Sequence, residues 1–233
     1  MNFQSPLYNA FLIRRYAKVL ADVRLESGET VTVFCSNTTK LKGIAVPNAP
    51  ILLSYFPRPN RRLQFVWELS DVNGILAGVN MGRQTELIEE AVTDGTLYEL
   101  GGYETIEPDY SSAFFDIILT PAAGSGYPPC HVAIAPVYEK KGTDLLFPDD
   151  VDVTNRHVLN RLANALEQGE RAVLILLAQR SDCLGVRAQW AADPSYLISL
   201  KELSENKGLE IICCGCTVSA ESIRVSSRLP FLF

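Results

Sequence analysis

The chain has 233 residues, 47% hydrophobic and 21% charged, which is enough apolar material for a sizeable core and too much for a disordered protein. No apolar run approaches the roughly 18 residues of a membrane-spanning helix, and the start MNFQSPLYNA lacks the apolar stretch of a secretory signal. The net charge of −6 hides a division: residues 1–66 hold nine basic and three acidic side chains, whereas the remainder holds 12 and 24.

The first part reads as strands. LIRRYAKVLADVRLE is long and β-branched or aromatic at intervals, and Ser27-Gly28 turns it into ETVTVFC, which alternates with period two. ILLSYF ends at Pro57-Arg58-Pro59. LQFVWELSD and ILAGV follow, joined by the hairpin signal Val72-Asn73-Gly74. Five strands in about 80 residues without a helical period predict a small closed barrel such as an OB-fold, with an SH3-like barrel fitting nearly as well.

The period then changes. RQTELIEEAVTDG predicts a helix with Leu87, Ile88, Ala91 and Val92 on one face and Gly95 as its stop. Strands follow near YETIE, in AFFDIILT and, after the turn-rich PAAGSGYPP, in CHVAIAPVY. A helix over 152–168 leads to AVLILLAQ, apolar throughout as a strand buried on both faces should be. A further helix over 195–206 precedes the last strand, LEIICCGCTV. This order predicts a mixed three-layer α/β domain, so residues 1–80 form the barrel and 81–233 the α/β domain.

The basic first third on an acidic body allows local attraction to phosphate, although a solvated basic face fits the charge count equally well. Arg14, Arg15 and Lys18 interleave with Tyr16, and Phe56, Arg58, Arg61, Arg62 and Trp67 form a second basic and aromatic set. Single-strand binders use such mixtures, because cations track phosphates while aromatic faces stack on bases; Trp67 fits a barrel core at least as well. Six scattered cysteines do not form a disulfide framework, which points to a reducing cytoplasm. Cys213 and Cys216 have a C-x-x-C spacing, half of a zinc set, in the apolar context of a buried strand.

Several segments resemble the SfsA family of bacterial and archaeal sugar fermentation stimulation proteins. They are RRYAKVLADV (14–23), CSNT (35–38), GVN (78–80), LIEEAV (87–92), LFPDDV (146–151), ERAVLILLAQRSD (170–182), DPSY (193–196), Gly208-Leu209-Glu210 and RLPFLF (228–233). The resemblance runs in order along essentially the whole chain. It implies an OB-like domain followed by a PD-(D/E)xK nuclease-like domain of αβββαβ order, and DNA binding. In such a site an Asp and the Glu of a Glu-x-Lys pair hold Mg²⁺, which activates the attacking water, while the Lys orients it.

The resemblance assigns the Asp to Asp116 in AFFDIILT. It puts Ala133 at the Glu position and Ala135 at the Lys position of CHVAIAPV, where methyl groups neither bind metal nor carry protons. Phe114, Thr154 and His157 depart from the family's basic residues as well. It also implies substrate-side roles for Gln179 and Arg180, and turn or phosphate contacts for Asn37 and Thr38. The reading is a nucleic-acid-binding pseudo-nuclease, of DNA foremost, that works through the barrel and the cleft between the domains and is not expected to hydrolyse its ligand. Its candidate contacts are Arg14, Arg15, Tyr16, Lys18, Asn37, Thr38, Lys40, Arg61, Arg62, Gln179 and Arg180. No cofactor is expected, or Mg²⁺ should cleavage remain; whether the two alanines are natural or engineered stays open. The alternatives are a metal nuclease rebuilt from Asp116, His131 and Asp149, and a scaffold docking a protein partner or a second copy through its acidic C-terminal domain.

Overall fold

The computed structural model describes residues 1–57, 62–109 and 116–233. Six strands build the N-terminal part: β1 (Tyr8–Tyr16), β2 (Leu20–Leu25), β3 (Thr30–Phe34), β4 (Pro50–Tyr55), β5 (Phe65–Val72) and β6 (Ile75–Gly78). They lie in the order β3-β2-β1-β4-β5-β6, and a parallel contact of Phe34 with Val66 closes β3 onto β5. That closure makes the five-stranded barrel of an OB-fold rather than an SH3-like one, with β6 extending β5 as a hairpin. Ala10, Leu12, Val23, Val33, Leu53 and Trp67 fill the barrel, so Trp67 is a core residue.

The barrel holds one strand more than the sequence pattern gives, because LIRRYAKVLADVRLE is a hairpin. The chain reverses at Ala17 and Lys18, which take φ of 48° and 61°. Neither residue carries the usual Gly or Asn signal for a left-handed turn.

The rest of the chain comprises α1 (Gln84–Thr93), β7 (Tyr103–Pro108), β8 (Ile117–Pro121), β9 (Cys130–Pro136), β10 (Lys140–Lys141), β11 (Asp144–Phe147), α2 (Val153–Glu167), β12 (Arg171–Ala178), β13 (Gly185–Ala188), α3 (Pro194–Asn206), β14 (Glu210–Val218), β15 (Ile223–Leu229) and β16 (Phe231–Leu232). The main sheet runs β15-β14-β12-β9-β8-β7, with β9, β12 and β14 parallel. A small sheet, β10-β11-β13-β16, is built from strands too short to show a period in the sequence.

Each face of the main sheet has its own core. Leu87 and Ile88 of α1 pack on Val132, Ile134 and Ile175 on one side, joined by Leu69 of the barrel. On the other, Leu159 and Leu162 of α2 and Leu197 of α3 cover Ala133, Ala135, Leu174 and Leu176. Strand alternation therefore turns Ala133 and Ala135 to the α2 face. The same alternation separates Cys213, in the second core, from Cys214 and Cys216, in the first. With the sheet between Cys213 and Cys216, the zinc reading fails, and burial pushes all three thiols up, Cys214 to about 11.

Candidate functional site

A cavity of about 490 Å³ opens where the barrel meets the main sheet. Its walls come from Thr38 and Thr39 of the loop after β3, Thr85 of α1, Ala133 and Ala135 of β9, and Thr154 and Asn155 at the start of α2. Three carboxylates line it, Asp109, Asp116 and Asp152, and among the described residues no Lys, Arg or His does. Asp152 is held as the N-cap of α2, accepting from the Thr154 amide at 2.8 Å.

Asp116 sits just before β8, and its Oδ2 accepts the Ile134 amide at 2.7 Å. The carboxylate is thereby fixed beside the strand that carries Ala133 and Ala135. Burial raises its pKa above the ordinary carboxylate value, against the lowering effect of that amide. A divalent cation needs several hard oxygen ligands. Positions 133 and 135 offer methyl groups, and among the described residues no three His, Cys, Asp or Glu side chains converge on a point. The residues here do not fit a metal.

The raised pKa has a consequence for stability. Between the ordinary carboxylate value of about 4 and the raised one, the native state binds more protons than the unfolded chain. The Asp116 contribution to stability therefore falls as pH rises through that window. Asparagine keeps an oxygen for the Ile134 amide and has no proton to lose. Asp116→Asn is expected to raise the thermal midpoint by a few degrees at pH 7, with the gain gone below about pH 4. A difference that stays constant with pH would show that the carboxylate is not desolvated.

The loop after β3 is built inward. Asn37 is fully buried: its Nδ2 donates to the Val79 carbonyl and the Tyr138 hydroxyl, and its Oδ1 accepts from Thr39. Arg15 closes the same loop by donating to the carbonyls of Thr39, Lys18 and Asn37. Lys42 reaches Glu139 at 2.7 Å and the Asp149 carbonyl at 2.5 Å, and Lys40 pairs with Asp150. Part of the basic first third is thus spent on the acidic second part, holding the loop over the cavity.

Several expected contacts change role for that reason. Asn37, Arg15 and Lys40 fasten the loop, and Thr38 remains as an exposed lining residue. Arg180 is buried and held bidentate by Asp182, which that guanidinium keeps well below the usual carboxylate range. Gln179 is buried against Gly78, where an added Cβ would stand 2.4 Å from its Oε1; this explains the glycine of GVN. Both side chains are almost wholly buried, and neither lines the cavity beside Asp116. Arg14, Tyr16, Lys18 and Arg62 are exposed on the barrel; Arg58, Arg61 and Phe114 lie outside the described residues.

The rebuilt nuclease site is not assembled either. His131 shares the face of Ala133 but lies at the other end of β9, with Nε2 2.7 Å from Glu170. Asp149 stands beside Lys42 and Glu139, off the cavity lining. Thr39, Thr85, Asp109, Asp152 and Asn155 were not singled out from sequence; only Asp152 carried a signal, as a helix cap.

Comparison with known proteins finds two family models along the chain. A family model described as the SfsA N-terminal OB domain matches residues 13–79, and one described as the sugar fermentation stimulation protein RE domain matches residues 82–222. The sugar fermentation stimulation protein homolog of Pelobacter propionicus is 37% identical over 230 residues, covering 97% of this chain and 98% of its own. That of Geobacter sulfurreducens is also 37% identical, covering 97% of each. A solved structure of Pyrococcus furiosus SfsA in complex with Ca²⁺ superposes with a TM-score of 0.85 at 20% identity, covering 99% of this chain and 97% of that one.

Proposed function

The chain belongs to the SfsA family of sugar fermentation stimulation proteins, and on that premise we propose that it binds nucleic acid, DNA foremost, without cleaving it. The OB barrel and its basic composition support the binding half of this reading. The observation that carries the other half is the pair Ala133 and Ala135, standing on one cavity wall with Asp116. The Pyrococcus furiosus protein was solved with Ca²⁺; here Ala133 and Ala135 present methyl groups, and among the described residues no three His, Cys, Asp or Glu side chains converge. Without a cation to offset them, the lining carboxylates repel phosphate, so the ligand is held by the barrel and not drawn into the cavity. Free, buried cysteines suit a reducing cytoplasm. No helix among the described residues is long and apolar enough to cross a membrane.

Fluorescence anisotropy with labelled DNA and RNA at two salt concentrations, Mg²⁺ present, tests this, followed by a denaturing gel of the same samples. Three or four phosphate contacts are expected to lower affinity between 50 and 200 mM salt about 20- to 50-fold for a single strand and about 40- to 150-fold for a duplex. The oligonucleotides should stay intact. Cleaved product would overturn the non-cleaving half, and salt-insensitive binding or none would overturn the whole.

A further inference from the structure

Aromatic side chains of a small barrel normally fill its core, yet Tyr8, Phe11, Tyr16 and Tyr55 are 50%, 36%, 36% and 38% exposed. Three rings gather at one end of the barrel. Tyr8 stands opposite Leu53, and Tyr55 opposite Phe65, so their side chains point to the core side of the sheet but beyond its last buried layer. Tyr8 meets Tyr55 and Phe65 at centroid distances of 5.8 and 5.7 Å, and Tyr55 meets Phe65 at 4.9 Å. Phe65 also lines a groove of about 640 Å³ with Thr32 and Arg62. On the other side of that groove Thr32 bonds Asp22, which also accepts from Arg14 and the Tyr16 hydroxyl. The Arg14 guanidinium lies 5.1 Å from the centre of the Tyr16 ring.

The charges nearby say what fits. Lys18, Arg24 and Arg62 have no carboxylate partner among the described residues, in contrast to Lys40 and Lys42, and Arg14 keeps 70% of its side chain exposed. Phosphate is therefore attracted to this side and repelled from the acidic cavity. Exposed ring faces beside such cations accept a base only when that base is unpaired, because a duplex hides its faces in the stack. We propose that this surface, from the Tyr8–Tyr55–Phe65 cluster across the groove to Tyr16, is a track for single-stranded nucleic acid. Bases stack on the rings, while phosphates follow Arg62, Arg24 and Lys18. The inference rests on the nucleic-acid reading above and names its strand form and its surface.

Anisotropy with labelled oligo(dT) and oligo(rU) of about 20 nucleotides, and with a duplex of equal length, tests it on the whole chain. The variants are Tyr8→Ala, Tyr55→Ala and Tyr16→Leu, with Tyr8→Phe and Tyr55→Phe as ring-keeping controls; circular dichroism and the thermal midpoint check that each is folded. Single strand is expected to bind at least about tenfold tighter than duplex, each loss of a ring to weaken it about tenfold, and the Phe controls to bind as the parent. Binding of either oligo(dT) or oligo(rU) in this pattern supports the inference, and the tighter one identifies the sugar. Preference for duplex, or unchanged affinity in folded ring-less variants, would overturn the track while leaving the nucleic-acid reading intact. No binding by the parent to any of the three would overturn both.

Discussion

The double variant Ala133→Glu/Ala135→Lys is expected to gain affinity for a divalent cation. Both positions face the cavity from β9, two residues apart and hence on one side of the strand. Asp116 is already fixed beside them through the Ile134 amide. A glutamate at position 133 would bring a second carboxylate against one whose pKa burial has raised. Two adjacent carboxylates raise each other's pKa, so the variant without metal should lose stability as pH rises from 4 to 8. A cation reverses that penalty by binding the ionised pair. The expected outcome is affinity for Ca²⁺ or Mn²⁺ of about 0.1–1 mM by titration calorimetry, with no heat from the parent. A cation-dependent rise in the thermal midpoint should appear only in variants carrying Ala133→Glu. Ala135→Lys alone should show neither effect, since an ammonium adds no oxygen ligand. A folded double variant that ignores the cation would mean that the cavity itself, not the two missing side chains, is wrong for metal.

How far the sequence could be read depended on the range of the signal. Period-two alternation and the uninterrupted apolar run of AVLILLAQ are local, and they placed the barrel strands and β12. Strand parity is local too: it correctly put His131 on the face of Ala133. It carries no information on position along the strand, and there His131 finds Glu170. The turn at Ala17 and Lys18 leaves no mark in the sequence, because its left-handed backbone is imposed by the pairing of β1 with β2, not by a glycine.

Charge counting failed for a related reason. The excess of basic residues in the first 66 is real, but a count cannot say that Lys40 faces Asp150 and Lys42 faces Glu139 across more than 90 residues of chain. Asn37 likewise looks like a surface turn residue in CSNT. It becomes a buried hub only because Tyr138, 101 residues away, offers its hydroxyl. The methyl-lined wall of the cavity is legible in Ala133 and Ala135, whereas the remaining lining comes from loops and helix ends brought together by the fold.

Glu68 is the feature least visible beforehand, and it leads to the largest stability effect expected here. In β5 strand alternation puts it on the face opposite Trp67. In the structure its side chain is fully buried, because β5 is covered on both faces. Ser54 donates to Oε1 at 2.7 Å and Asn80 to Oε2 at 2.9 Å. Arg83 adds bonds of 3.0 and 3.3 Å. Asn80 in turn accepts from Ser36, at the root of the loop over the cavity, so the group ties the barrel to the entry of α1. Removing the guanidinium would leave a buried carboxylate with two neutral donors. Such losses typically cost about 3–5 kcal/mol. Arg83 is itself 18% exposed, and water entering its place should hold the loss near the lower figure.

Arg83→Ala is therefore expected to destabilise the chain by about 3 kcal/mol, a fall of about 6–12 °C in thermal midpoint for a protein of this size. Neutralising the orphaned group separates charge from packing. Adding Glu68→Gln to Arg83→Ala should recover at least about half of the loss, because an amide left without the arginine costs less than a carboxylate. Denaturant unfolding of the two single variants and the double one closes the cycle. A loss under about 1 kcal/mol in Arg83→Ala would mean that Ser54 and Asn80 suffice to hold the buried charge, whereas a large loss with no recovery in the double variant would assign it to the packing of the arginine rather than to charge.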